Sequence, residues 1–436
     1  MSPVRAIRRA AERVASPQTV NFWCHVFEGG FAMLGMQLAS GGTAMPGGRL
    51  FALLASDLHV EPSTFGFLTS LAGLAPLLAL LLAPRIEAVR RKKRLILVQG
   101  LGQRLPLLLS LLGLALFAQD RPVLCLGLVA VANLLMATAS HLNGPPWFDL
   151  LADTIPRRLL GRMFGYRHSI SAALGLLAAA LCTAVLAADA RPTNFLLLYG
   201  IAFVALMLSY AVLTLVDDVP DDLLPKARRP AGEYFRDLLG SLKRDRNFRH
   251  FVEHAALSRL GLLAAPFCVL TARQTFGLGR EWVAVAFIGG ISAGQLVASV
   301  TASVLSERLG PKRILLASTV LWAAAMVLAA AAPAGWWYAG VFLLLGLGWG
   351  ARGAGTGPFI ARVFPRERRV GSFSLTMLVM APVMLLGPAA AGLVLEQAGH
   401  VVLFALFAVG VAAALAPLLR CRPSETDEED APASQE

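Results

Sequence analysis

Glu28 is the acidic residue whose setting most invites chemistry. It stands inside an apolar run that begins at Val20, about 12 Å along a helix axis at 1.5 Å per residue. His25 precedes it by three residues and shares its helix face. A carboxylate in low-dielectric surroundings takes up a proton more readily than one in water. Glu28 is therefore the first choice for a proton-coupling residue, and a structural ion pair at the helix entry is the alternative. Arg104 lies midway along another apolar run, beside Gln99 and Gln103. Its planar guanidinium suits either a pair with Glu28 or a clamp on an anionic substrate. His141 and Asn143 fall near the end of a third run, where Trp147 marks a membrane interface. His250, His254 and Ser258 recur at i, i+4 and i+8, with Glu253 and Arg259 alongside. An HxxxH pair without a third ligand is poor evidence for zinc, and no metal or other cofactor is expected. Arg352 sits among Gly346, Gly348, Gly350, Gly353, Gly355 and Gly357. These glycines lack the GK[ST] ending and the preceding strand of a phosphate loop, so they are read as sites of close helix packing.

The elements that must position these residues follow from composition. The 436 residues are 56% hydrophobic and 15% charged, against about 25% charged in a soluble protein, and the mean hydropathy is +0.65. Apolar runs long enough to cross a bilayer as helices recur throughout. The alternation of a β-barrel strand is missing. The net charge of +12 comes from basic residues in short loops with few interleaved aromatics, which argues against a nucleic-acid partner. Five cysteines are scattered singly and indicate neither a disulfide framework nor a metal site.

Twelve spans are predicted, at 20–45, 63–84, 94–117, 122–146, 163–188, 194–216, 250–273, 281–305, 313–333, 336–358, 370–395 and 401–420. Residues 42–62 are read as a long loop or a broken extension of span 1. Six spans (20–216) precede a charged connector at 217–249 and six (250–420) follow it. An N-terminal segment, 1–19, and an acidic tail, 421–436, flank them; the tail has the composition of a disordered segment. Arg49, Arg121, Arg191, Arg273 and Arg280 fall on one side of the predicted membrane and Arg104, Arg259 and Arg352 within spans. The rest of the 39 lysines and arginines collect on the other side. That bias predicts both termini and the connector to be cytoplasmic. An internal repeat supports the two-half plan. Asn21-Phe22 recurs as Asn247-Phe248, the basic turn after span 2 recurs after span 8, and Pro156-Arg157-Arg158 is echoed by Pro365-Arg366-Glu367-Arg368.

From 17 to 420 the chain resembles the major facilitator superfamily. The most specific match is Ser306-Glu307-Arg308-Leu309-Gly310-Pro311-Lys312-Arg313, similar to that family's cytoplasmic turn after spans 2 and 8. The first-half copy keeps Glu87 and Arg91 but lacks the glycine. The resemblance implies an all-α membrane protein of twelve transmembrane helices in two pseudo-symmetric six-helix bundles. It also implies a cytoplasmic gate at these turns, with Asp149, Asp153 and Arg162 as counterparts of Glu87, Arg91, Glu307, Arg308 and Lys312. The family builds its cavity from spans 1, 4, 7 and 10, which carry Glu28, His141, Arg259 and Arg352. Span 5 lacks the Gly-Pro pair of the family's drug exporters.

The expected function is secondary active transport of a small organic solute by alternating access, with a proton as a candidate coupling ion. The expected setting is a monomer in a bacterial inner membrane. Three intramembrane arginines against one acid suggest a substrate of anionic character. A multidrug or metabolite exporter of the same fold is the alternative. A membrane-embedded transferase would need an aqueous His/Asp or metal constellation, which the loops do not supply; a non-transporting sensor would not need its inward charges.

Overall fold

A computed structural model describes residues 8–9, 12–13, 15–39, 49–87, 92–188, 192–216, 236, 240, 245–363 and 369–421. These residues are helical almost throughout and include no strand. Helix starts follow local chemistry. Ser16 caps span 1 (Pro17–Leu38), its Oγ accepting from the Thr19 N–H at 3.3 Å. Asp245 caps the first helix of span 7 (Arg246–Leu263), accepting from the Phe248 N–H at 2.9 Å. Pro17, Pro62, Pro122 and Pro311 occupy first turns, where a missing N–H costs nothing.

Span 1 is shorter than the sequence suggests. Part of the predicted 42–62 loop forms a separate helix, Arg49–Asp57, whose residues from Leu50 to Asp57 are buried. It packs against Ala265–Leu270 of span 7. Span 2 consists of Pro62–Ser70, a tight turn at Leu71–Leu74 and Ala75–Glu87. Span 3 is interrupted between Lys92–Gly102 and Leu107–Phe117, because Pro106 lacks an N–H and crowds the preceding turn. Spans 4, 5 and 6 are Pro122–Thr154, Arg157–Ala187 and Thr193–Thr214. Span 7 continues through Ala265–Leu270 into a widened turn at Thr271–Thr275. Span 8 comprises Arg280–Ala284, a second widened turn at Val285–Gly289 and Gly290–Leu309. Spans 9 and 10 are Pro311–Ala331 and Tyr338–Val363. Spans 11 and 12 lie within Arg369–Ala413, divided at Gly399 (φ 81°), and end with Leu415–Arg420.

Among the described residues, nine segments are long and apolar enough to cross a membrane, and one of them, Val379–Arg420, contains the two helices that meet at Gly399. With Pro17–Leu38 and Tyr338–Val363 the helices fit the twelve-span plan. Nearly all of the connector and the tail beyond Cys421 lie outside the described residues.

The main apolar core joins both halves, combining Phe51, Phe65 and Tyr199 with Phe267, Phe287 and Phe342. The ends of spans 1, 6, 7 and 12 define one face, called the termini face below. There the apolar clusters formed by the described residues stay within single halves. Phe22, Val26, Leu151, Ile155 and Met163 form one, and Phe248, Phe251, Val252, Leu315 and Phe359 another. Cations cap the last helix of each half on this face. Arg8 donates to the Leu215 carbonyl at the end of span 6, and Lys312 to Leu419 O at 2.9 Å and Cys421 O at 2.7 Å at the end of span 12.

Candidate functional site

Glu28 is buried, with 8% of its side chain exposed, and two arginines hold it. Its Oε2 accepts from Arg167 Nη1 at 2.6 Å, and its Oε1 lies 3.9 Å from Arg104 Nη2 and 3.4 Å from the donating Ser209 Oγ. Arg104 occupies the break in span 3. Its Nε donates to Leu206 O at 2.7 Å, Nη1 to Gly100 O at 2.8 Å and Gln103 Oε1 at 3.3 Å, and Nη2 to Ser209 Oγ at 2.8 Å. Four of its N–H groups thus donate to protein acceptors, and Glu28 adds an ion-pair contact. Arg167 is held less completely. Its Nη1 also donates to His25 O at 2.6 Å, and its guanidinium lies 4.9 Å over the Trp147 ring.

His25 shares the helix but not the carboxylate. Its Nε2 is 3.2 Å from Thr154 Oγ1, whose proton goes to Leu150 O at 2.7 Å. The ring nitrogen therefore donates, and Nδ1 is left buried without a partner among the described residues.

Beside this cluster is a cavity of about 300 Å³, lined by Glu28, Met33, Gln103, Arg104, Asn143, Trp147, Arg167 and Ser171 among others. All of its lining comes from the first half, and its size suits a small organic molecule. Of the sequence candidates, Glu28, Arg104 and Asn143 meet on it. His25 lies behind it, and His141, His254, Arg259 and Arg352 are not part of its lining. His141 nevertheless lies within the electrostatic reach of Arg259, across the two halves. Arg352 is 5.3 Å over Trp322, and His254 Nδ1 donates to Ala414 O at 3.0 Å.

Sequence reasoning passed over Arg167, grouping it with the basic loops although the predicted span 5 starts at residue 163. It also passed over Asp57. This buried carboxylate is held by Arg273 Nη2 at 2.6 Å and Arg280 Nη1 at 3.2 Å, both from the second half. Arg273 donates further to Leu278 O at 2.6 Å, and Arg280 to Leu186 O at 2.8 Å and Ala188 O at 2.9 Å. On the same face Gln274 donates to Val60 O at 3.2 Å. Spans 2 and 11 touch backbone to backbone there. A Cβ on Gly66 would lie 2.3 Å from Pro388 O, and one on Gly392 2.2 Å from Pro62 O. The Ala389 N–H donates to Ser70 Oγ at 3.0 Å. The face opposite the termini is thus closed by contacts between the halves.

The expected gate residues are less fully placed. Arg91 and the side chains of Glu87, Asp149, Asp153, Arg162 and Glu307 lie outside the described set. Arg308 is exposed in the last turn of span 8. Lys312 is committed to the end of span 12 in its own half.

The Major Facilitator Superfamily model matches residues 32–294 and 270–436. The chain belongs to that superfamily. Membership makes it a transporter rather than an enzyme. No match is found among curated proteins. Solved structures of similar fold include a D323A mutant of the nucleoside transporter NupG (12% identity, TM-score 0.64, covering 91% of this chain and 99% of that one). A bacterial homologue of the iron transporter ferroportin in an inward-facing state is another (14%, 0.66, 93% and 98%). A third is the xylose transporter XylE from E. coli in a partially occluded inward-open conformation (12%, 0.65, 94% and 99%). At these identities the likeness concerns the superfamily fold.

Proposed function

We propose that the chain is a secondary active transporter that moves a small organic solute by alternating access, coupled to a proton through Glu28. The observation that carries this reading is the closure of the face opposite the termini by contacts between the halves. Asp57 with Arg273 and Arg280, and the glycine contacts of spans 2 and 11, join the halves on one face. On the termini face the described apolar clusters remain within each half. With both termini cytoplasmic in a bacterial inner membrane, this is an inward-facing state. The turns bearing Glu87, Arg91, Asp149, Asp153, Arg162, Glu307 and Arg308 then close the cytoplasmic face in the opposite state. Lys312 serves the end of span 12 instead.

Coupling at Glu28 rests on its two unequal partners. Arg104 is 3% exposed and makes four hydrogen bonds to protein acceptors, whereas Arg167 is 19% exposed and held mainly by Glu28 and one carbonyl. A proton on Glu28 removes the charge that fixes Arg167 and loosens span 5 from span 1. The released guanidinium then faces the cavity. Proteoliposomes loaded with a pH-sensitive dye test this. Addition of xylose, uridine or benzoate should move protons with the solute, and Glu28→Gln should abolish the proton movement while solute exchange persists. Unchanged proton-driven uptake in Glu28→Gln would refute the assignment of Glu28.

A further inference from the structure

The cavity beside Glu28 holds more binding chemistry than a proton site uses. Ser140, Asn143, Gly144 and Trp147 line it from span 4 at i, i+3, i+4 and i+7, which is one helix face. On that face Ser140 Oγ and Asn143 Oδ1 are buried without a partner among the described residues. A buried polar atom left unpaired costs about 1–3 kcal/mol. Two such atoms beside one cavity make a site that a ligand hydroxyl completes, since a hydroxyl both donates and accepts.

Arg167 supplies the second part of the site. It seats against span 1 because residue 29 is glycine; a Cβ there would lie 2.2 Å from its Cζ. Its hydrogen bonds to Glu28 Oε2 and His25 O both leave from Nη1, each at 2.6 Å. Among the described residues Nη2 and Nε, which form the two-pronged edge of the guanidinium, have no acceptor. Arg104, by contrast, gives its donors to Leu206, Gly100, Gln103 and Ser209. Charge points the same way. Glu28 offsets one of the two arginines in the lining, so the cavity wall carries one excess positive charge. A carboxylate on the open edge of Arg167 balances that charge and matches the parallel hydrogen bonds of the fork, whereas a phosphate dianion overshoots it. Met33 and Met36 face the same space, and methionines adapt to apolar bodies of varied shape.

We propose that the cavity takes a small hydroxylated monocarboxylate, its carboxylate on Nε and Nη2 of Arg167 and its hydroxyl between Ser140 and Asn143. This rests on the reading of the chain as a transporter and names the class of solute it moves. Arg167 then serves two carboxylates, that of Glu28 on Nη1 and that of the solute on its other edge. A proton on Glu28 leaves the solute as the only carboxylate on Arg167, so proton and anion travel together and their charges cancel.

The test is the melting temperature of the purified protein in detergent at constant pH and ionic strength. Mandelate and lactate are compared with phenylacetate and propionate, which lack the hydroxyl, and with mandelamide and lactamide, which lack the charge. At least one hydroxy acid should raise the temperature saturably by several degrees, and its amide should not. Its hydroxyl-free counterpart should bind about tenfold more weakly, the size of one good hydrogen bond. Asn143→Ala should erase the difference between hydroxy acid and counterpart while leaving the counterpart's binding unchanged. Arg167→Gln should erase the difference between acid and amide. The exposed Arg249→Met should change neither. The inference is overturned if neither hydroxy acid shifts the wild type, if the amide shifts it equally, or if Asn143→Ala weakens both acids alike. A shift with glycerol 3-phosphate but with neither hydroxy acid would assign the cavity to a phosphate ester and also overturn it. Flux in proteoliposomes separates the two readings. Xylose uptake that saturating mandelate and lactate leave intact would keep the transporter and refute the hydroxy-acid site. Binding of a hydroxy acid without flux of any solute would do the reverse.

Discussion

Glu28 and Asp57 are each clasped by two arginines, but the partners come from different places. Arg104 and Arg167 belong to spans 3 and 5 of the same half as Glu28, while Arg273 and Arg280 reach Asp57 from spans 7 and 8 of the other half. The same chemistry therefore has different consequences. A triad inside one bundle is not broken by the rocking itself, so it stabilises the bundle until a proton on the acid releases a partner. A triad between bundles must separate whenever that face opens, so it sets the balance between conformations. The energy of a buried ion pair goes into whichever motion would break it.

The largest expected effect comes from removing the acid inside the bundle. Glu28→Leu leaves two buried guanidiniums without a counter-ion and should cost about 3–5 kcal/mol, seen as a lower thermal midpoint in detergent. A midpoint equal to wild type would mean that Arg167 escapes to water and that the triad is not structural. Salt gives a smaller contrast. Raising ionic strength from about 0.05 to about 0.5 M should weaken the Asp57 contacts several-fold and the Glu28 contacts little, since the Asp57 contacts meet solvent whenever that face opens while those of Glu28 stay within one bundle. Proteolysis or alkylation of the segment around Val60 would report it, and equal salt sensitivity at both sites would contradict the distinction. The smallest effect is expected at Lys312. Lys312→Ala removes a cation from the end of span 12 and should cost about 0.3–1 kcal/mol of stability without changing the balance between the faces. A marked shift toward closure of the termini face would return Lys312 to the gate.

Much of the fold was legible in the sequence because a bilayer imposes its own ruler. Run length and apolarity give the spans, and the polar connector with the repeated Asn-Phe pairs gives the halves. Of the span 10 glycines, Gly346, Gly348 and Gly350 fit the reading of close packing, whereas Gly353 has open space beside it. A Cβ on Gly346 would lie 2.3 Å from Ile291 O, and one on Gly350 2.5 Å from Gln295 O. Glu28 and Arg104 were legible as a pair because both stand alone in apolar runs. Arg167 was not, because three arginines just before it look like a topology signal, even though the predicted span 5 already contained it. Asp57 was hidden for another reason. Its partners lie more than 200 positions away across a domain interface, and sequence spacing contains nothing about such a contact. The gathering of Glu28, His141, Arg259 and Arg352 on one cavity was expected from the family plan. The structure brings His141 near Arg259 but leaves both off the described cavity lining.

Spin labels at Val60→Cys and Gln274→Cys, whose parent residues are joined by a 3.2 Å hydrogen bond, test the central claim most directly. Pulsed dipolar distances in nanodiscs should show a short population in the wild type and a longer one that grows at least several-fold in Asp57→Asn. A second pair, at Met33 and Leu206 within the first half, should not change. A single short distance across Val60 and Gln274 that Asp57→Asn leaves unaltered would contradict the account.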